Sequence, residues 1–308
     1  MSDKLYHYVV TDDLDSERID KVISTLADSF SRTYIKKMMD EKRVTLNGKT
    51  VKPSTIVYEN DAISMLVPPA KELCIEAEDI PLDILYEDDD LLVVNKPKGM
   101  VVHPSAGHYN GTLVNAVMWH CKGQLSGING VLRPGIVHRI DKDTTGSIMI
   151  CKNDAAHQSI AAQLKEHSIC RIYHAIVYGI LPNDSGIIDA PIGRSTSDRK
   201  KMAVNVPHAK HAVTHYHTIK RFEEDQMTYI WCKLETGRTH QIRVHMAHIG
   251  HPILGDEVYA INRKSKWKLE GQCLHAKTLG FIHPVTGEYI ETDAPLPQYF
   301  QHLLDIMH

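Results

Sequence analysis

Apolar positions along the chain fall into two periodicities and a set of short unbroken runs. Near the N-terminus the spacing is helical. Ile19, Val22, Ile23 and Leu26 form one stripe, opened by Asp15-Ser16-Glu17. Ile35, Met38 and Met39 form a second stripe behind Ser31, a good N-cap. Alternation follows: Arg43 to Val51 reads as a hairpin around Asn47-Gly48, and Ala62 to Val67 as a further strand. Past residue 90 come short apolar runs, Leu91-Leu92-Val93-Val94, Ile136-Val137 and Ile148-Met149-Ile150, which read as buried strand segments. Thr144-Thr145-Gly146 reads as turn chemistry between the last two. Ala155 to His167 returns to helical spacing. Arg171 to Gly179 alternates as a strand and puts Tyr173 on one face with Arg171, Ala175 and Val177. A strand ends at Gly237, and Thr239 is placed to N-cap a helix with the stripe Ile242, Met246 and Ile249, ended by Gly250. Residues 1–14 read as a short arm.

The charge pattern divides this frame. Net charge is −3 over 308 residues, so any polyanion site must come from local clustering. Between Arg18 and Lys52 there are nine Lys/Arg and four acids. Lys36, Lys37, Lys42 and Arg43 gather on and just after the second helix, which favours a polyanion partner over a merely solvated face. Residues 72–90 hold nine acids and no Lys or Arg. With Pro68-Pro69 before it, that switch marks a domain boundary, and the acidic stretch should stay off the path of a polyanion. Arg194 to Arg221 is basic again, with Arg199, Lys200 and Lys201 in a loop that suits phosphate contact or plain solvation. Lys96 suits phosphate contact or a turn.

Candidate chemistry concentrates in the loop between Ile136-Val137 and Ile148. His138, Arg139, Asp141 and Asp143 stand between two core runs, a rigid setting for a reactive side chain. Asp141, beside a cation, suits a nucleophile or base; loop aspartates also serve as turn acceptors. His240 and Arg243, three apart, share a helix face. His240, His245, His248 and His251 invite a metal reading, but no carboxylate or thiolate completes a ligand spacing, so no metal is expected. Six scattered cysteines without a Cys-x-x-Cys pair suit a reduced cytosol. No run is long and apolar enough to span a membrane, and the N-terminus lacks a signal-peptide core. These features point to a cytoplasmic protein.

His138-Arg139-Ile140-Asp141-Lys142-Asp143-Thr144-Thr145-Gly146 resembles the signature of the RluA/RluD family of RNA pseudouridine synthases, with isoleucine at the usual leucine. Leu234 to Pro252, continuing through Gly255-Asp256 and Tyr259, resembles a second motif of that family. Arg18-Ile19-Asp20, Ser31-Arg32 and Arg43-Val44 with Asn47-Gly48 resemble the alpha-L RNA-binding module of the small-subunit ribosomal protein S-four type. The nearest likeness is to ribosomal large-subunit members of the D type.

The resemblance implies an α+β fold: a mixed, largely antiparallel sheet with flanking helices. It implies an arm at 1–14, the RNA-binding module at 15–76 and a catalytic domain at 77–308. It implies isomerisation of uridine to pseudouridine in RNA, without cofactor, in a base flipped from its stack. Asp141 would be the nucleophile, with attack at the ribose carbon or the uracil ring both open to it. Arg243 would pair with Asp141, and Tyr173 would stack near the base as a candidate proton acceptor. Arg139 would occupy the space the base leaves. Arg32, Lys36, Lys37 and Arg43 would contact RNA. The implied partner is large-subunit ribosomal RNA or a pre-ribosomal particle, met by a monomer; which uridines are modified is not legible. The alternative is a non-catalytic RNA-binding or ribosome-assembly factor.

Overall fold

The computed structural model describes residues 3–27, 30–68, 75–104, 109–130, 133–198 and 201–308. Asp28, Pro69, Glu72, Cys74, Arg199 and Lys200, on which parts of the charge, boundary and cysteine readings fall, lie outside them. The chain divides into two compact units, Met1–Glu72 and Leu73–His308. Among the described residues no helix is long and apolar enough to cross a membrane.

In the first unit, β1 (Lys4–Val9), α1 (Ile19–Leu26), α2 (Arg32–Asp40), β2 (Val44–Leu46), β3 (Lys49–Thr50) and β4 (Ala62–Val67) follow in order. The strands pair as β1-β4-β2-β3, all antiparallel. Residues 4–9 therefore depart from the expected arm: Lys4–Val9 is a sheet edge, held in register Lys4↔Val67 to Val9↔Ala62. Its side chains are mostly solvated, so its strand character comes from backbone pairing rather than burial. The two helical stripes bury Ile19, Val22, Ile23, Ile35, Met38 and Met39 against Val44, Ile63 and Met65. Ser31 Oγ caps α2 by accepting from Tyr34 N at 3.2 Å. Asn47 (φ 50°) and Gly48 (φ 78°) take the left-handed conformations that a two-residue hairpin turn requires.

The second unit is a nine-stranded mixed sheet with helices packed on it. Its elements are β5 (Ile84–Glu87), β6 (Leu91–Lys96), α3 (Leu113–His120), β7 (Thr145–Cys151), α4 (Asp154–Lys165), β8 (Cys170–Tyr178), β9 (Ser185–Asp189), β10 (Ile192–Arg194), β11 (Met202–Val204), β12 (Val213–Phe222), β13 (Met227–Leu234), α5 (Gln241–His248), β14 (Leu274–Ile282), β15 (Tyr289–Asp293) and α6 (Gln298–Ile306). The sheet runs β5-β6-β7-β14-β8-β13-β12-β9, with β15 on β14; β10 and β11 form a separate ribbon. Every pair is antiparallel except β7 with β14. This is the α+β, mixed and largely antiparallel sheet with flanking helices that was expected.

The parallel pair corrects one local reading. Thr145 and Gly146 open β7 rather than forming a turn, pairing with His275 and Ala276. Gly146 sits at φ +106°, and a Cβ there would lie 2.3 Å from Ala276 O. Glycine is required by close strand approach, not by a turn. Ile136 joins the sheet only through a bridge to Ile150. The acids of 75–90 tie into this unit's own edge: Glu78 accepts from Gly111 N, Asp83 from Asn95, and Glu87 pairs with Lys152.

Candidate active site

Two segments a hundred residues apart meet through Asp141 and Arg243. The loop before β7 carries His138 to Thr144, and α5 carries Arg243. Arg243 Nη1 donates to Asp141 Oδ2 at 2.8 Å. The same guanidinium grips Asp256 from its other side, Nε to Oδ2 at 2.7 Å and Nη2 to Oδ1 at 3.0 Å. Asp256 also accepts from Val258 N and Tyr259 N at 2.9 and 3.0 Å, which fixes its carboxylate from behind. Burial opposes the charge on Arg243, but Asp256 and then Asp141 more than offset it, and the guanidinium pKa is raised.

The loop itself is tied at several points. Thr144 N donates to Asp141 O at 3.1 Å, closing a turn. Gln272 Nε2 donates to Thr144 Oγ1 at 3.0 Å, and Met149 N to His138 Nε2 at 2.9 Å. Ile140 is buried in the main core. Lys96, 0% exposed, meets no solvent and is no phosphate ligand. Its Nζ donates to Pro97 O and Met100 O at 2.8 Å and to Lys142 O at 2.9 Å. Lys142 O also accepts from Gly99 N at 3.1 Å. A buried ammonium with three carbonyl acceptors pins the peptide next to Asp141. Burial nevertheless pushes its pKa down to about 7, with Asp143 and Asp141 opposing.

His240, not Thr239, occupies the cap of α5, in the left-handed conformation (φ 57°) and without a side-chain cap bond. The preceding loop is closed instead by Gln241, whose Oε1 accepts from Thr236 Oγ1 at 2.8 Å and Arg238 N at 2.9 Å. The result points His240 at Asp141, Nε2 to Oδ1 3.7 Å. Tyr259 Oη accepts from Met202 N and meets His240 Nδ1, both at 2.9 Å. With Tyr259 donating, the ring proton sits on Nε2, facing the carboxylate. Burial lowers the His240 pKa. The other histidines of the metal reading take separate partners where they have any: His245 bonds Thr214 and Ala190 O, and His251 bonds Tyr178 O. Among the described residues the three-ligand grouping is Asp88, Asp90 and His283, away from this helix, with Asp88 already engaged by Tyr86 and His283.

Asp141 opens into a cavity of about 530 Å³, within the usual range for ligand sites. Tyr173 forms part of its wall, buried, with no hydrogen bond from its hydroxyl among the described residues. Burial raises the phenol pKa, Arg171 opposing and Asp141 reinforcing, so the resting group is a proton donor. Leu274 also lines the cavity while belonging to the core. Arg139 is exposed at the rim. Five Lys/Arg (Arg139, Lys165, Arg171, Arg238 and Arg243) and one carboxylate, Asp141, face this space, a surface for a polyanion.

The basic residues of the first unit are exposed or half-buried on and after α2. Arg32 lies 3.5 Å from Asp20, Lys37 3.8 Å from Glu41, and Arg43 pairs with Asp3 at 2.8 Å. Lys36 makes no ion pair among the described residues. Sequence reasoning gave no role to Asp256, Tyr259 or Lys96 in the pocket. The first two lay inside the second motif, and Lys96 stood at the end of an apolar run, where a buried charge is the unusual choice.

Residues 90–248 match the family model described as RNA pseudouridylate synthase, and residues 17–63 match the S4 domain. The uncharacterized RNA pseudouridine synthase YlyB of Bacillus subtilis is 50% identical over 290 residues, covering 94% of each chain. The ribosomal large subunit pseudouridine synthase D of Zymomonas mobilis is 46% identical over 307 residues, covering 97% of this chain and 96% of that one. Human RNA pseudouridylate synthase domain containing 1 shares the fold, with TM-score 0.57 at 24% identity over 74% of this chain and 95% of that one.

Proposed function

Because the chain belongs to the RNA pseudouridylate synthase family, in its RluA/RluD branch, we propose that it isomerises uridines of large-subunit ribosomal RNA with Asp141 as nucleophile. The chain is an RNA pseudouridine synthase with an S4 domain. The observation that carries the finer reading is the Asp141–Arg243–Asp256 chain, with one buried guanidinium between two carboxylates. Relatives named for the ribosomal large subunit, at 46% and 41% identity, support the substrate.

The reaction breaks the bond from uracil N1 to ribose C1′, turns the base, and joins C5 to C1′. The proton on C5 leaves and N1 gains one, so atoms and electrons balance without a cofactor. A duplexed or stacked uridine must leave its stack to reach Asp141. Arg139, at the rim, fills the space it vacates. Tyr173 supplies an aromatic wall for the base. Its raised pKa bears on the expected part in proton transfer: the phenol gives a proton first, and accepts one only after losing its own. The first unit adds affinity through Arg32, Lys36, Lys37 and Arg43, by phosphate contacts that carry little sequence information. The enzyme works as a monomer in the cytoplasm.

The test is a pseudouridine map of large-subunit ribosomal RNA from cells with and without the gene. Sites lost on deletion should return with wild type and not with Asp141→Asn, while the purified variant still binds RNA. Turnover by Asp141→Asn removes it as nucleophile. Full rescue of a growth defect by that variant favours the non-catalytic factor.

A further inference from the structure

Two buried arginines line the Asp141 cavity, and their surroundings differ. Arg243, 5% exposed, is shared between two carboxylates. Arg171, 7% exposed, has none: among the described residues no Asp or Glu comes within 4.0 Å of its guanidinium. Among its N–H groups, Nη2 reaches one acceptor, Glu235 O, at a long 3.4 Å. Nε is buried without any. Gly237 wraps the guanidinium so closely that a Cβ there would stand 2.7 Å from Nη1. A buried, under-bonded cation costs stability in the free protein. A counter-charge brought by a ligand would remove that cost.

His138 adds a second donor. A backbone N–H can only donate, so the bond from Met149 N makes Nε2 an acceptor. The ring must then carry its proton on Nδ1, which has no partner among the described residues. Burial and the nearby Arg171 both disfavour the imidazolium, with a pKa lowered to about 3, so this tautomer is the form present at neutral pH. His138 and Arg171 line the same cavity. Neither has a part in the Asp141 chemistry described above.

We infer that Arg171 and His138 form an anion subsite within the Asp141 cavity, which takes the phosphodiester beside the nucleotide being isomerised. The subsite rests on the reading of that cavity as the nucleotide site. A guanidinium presents its donors in a fork that fits two phosphate oxygens, and the neutral imidazole N–H adds a third contact. Through it the RNA backbone positions the ribose against Asp141, with no reading of base identity.

The test uses the full chain and three probes: inorganic phosphate, uridine and uridine 5′-monophosphate. At constant ionic strength, phosphate should raise the Tm of wild type above that in chloride. Arg171→Met should have a Tm at or above wild type without phosphate, and should lose the phosphate response. Competition against RNA should favour uridine 5′-monophosphate over uridine by roughly ten- to a hundredfold in wild type. That preference should vanish in Arg171→Met and shrink in Arg171→Lys and His138→Phe. If Arg171→Met does not fold, the last two variants carry the comparison.

An equal phosphate response in wild type and variants overturns the subsite. So does a wild type that shows no preference for the nucleotide. Equal loss of uridine and uridine 5′-monophosphate affinity would make the partner a base carbonyl and overturn it too. Pseudouridine formation by wild type is scored separately: activity without the phosphate effect sinks only the subsite, and the phosphate effect without activity sinks only the reaction.

Discussion

Replacing Lys96 by methionine tests whether a buried charge holds the reactive loop. The side chain is fully buried, and its three hydrogen bonds end on Pro97 O, Met100 O and Lys142 O. Methionine fills a similar volume and satisfies none of them. Lys142 O keeps its bond from Gly99 N, so the loop should shift rather than melt. A displacement of about 1 Å at the neighbouring Asp141 corresponds to roughly a hundredfold in kcat. Release of tritium from uridine labelled at C5, the position that loses its proton, measures it.

Stability carries the second half of the argument. An ordinary lysine titrates near 10.5, and Lys96 is pushed down to about 7. Between those values the unfolded chain binds more protons than the folded one, so the lysine's contribution to stability rises with pH. Each pH unit is worth about 1.4 kcal/mol, and the whole window therefore about 5 kcal/mol. That is a ceiling, because three carbonyl acceptors use all three hydrogens of the ammonium and favour keeping the proton. Denaturation of wild type and Lys96→Met from pH 7 to 10 should show the difference moving steadily in favour of wild type. A difference that stays flat across this range, together with unchanged kcat, would refute both the depressed pKa and the pin.

Asp256→Asn should cost about 3 kcal/mol in urea denaturation, since it leaves Arg243 buried with an amide in place of a carboxylate; kcat should fall with it, and a stable variant of normal kcat would separate Asp256 from the site. Gly146→Ala should cost about 3 kcal/mol or more, because the new Cβ meets Ala276 O and the backbone is left-handed there; hydrogen exchange should lose protection in β7 and β14, and an unchanged Tm would contradict the close approach. Replacing Lys36 and Lys37 by alanine should flatten the dependence of log RNA affinity on log salt, by about 0.7 for each phosphate of a single strand that is no longer neutralised. An unchanged slope would take that helix off the RNA.

Periodicity and motif recovered different parts of this molecule. The stripes of α1, α2 and α4 and the first half of β8 were legible because each buries one face, and burial leaves its period in the sequence; α5 was legible through Ile242, Met246 and Ile249 although Gln241 to Met246 are all buried. β1 was not, since an edge strand with solvated side chains leaves no such period. Thr145-Gly146 misled because glycine marks turns more often than crowded strand pairs, and the partner responsible, Ala276, lies 130 residues downstream. In the site, the pairing of Asp141 with Arg243 was readable from two motifs. The third member, Asp256, was not assigned a role, because nothing in spacing says which acid will face which side of a guanidinium. Lys96 and Arg171 were misread or passed over for one reason: a charge kept from water is invisible until its neighbours are known.

The division of Arg243 between two carboxylates bears on how Asp141 is presented to the cavity. A carboxylate held bidentately by its own arginine has both oxygens engaged and is a poor attacking group. Here Asp256 takes Nε and Nη2, the bidentate edge, and leaves Asp141 the single Nη1 contact. Oδ2 is thereby anchored and the carboxylate oriented. Oδ1 makes no hydrogen bond among the described residues; His240 Nε2 stands 3.7 Å away, beyond bonding distance. With both carboxylates ionised, the three groups sum to one negative charge. A neutral His240 suits this arrangement, because an imidazolium there would claim Oδ1. Burial of His240, which disfavours the imidazolium, therefore keeps an ion pair off Oδ1, while the bond to Tyr259 turns the neutral ring's Nε2–H toward that oxygen from 3.7 Å.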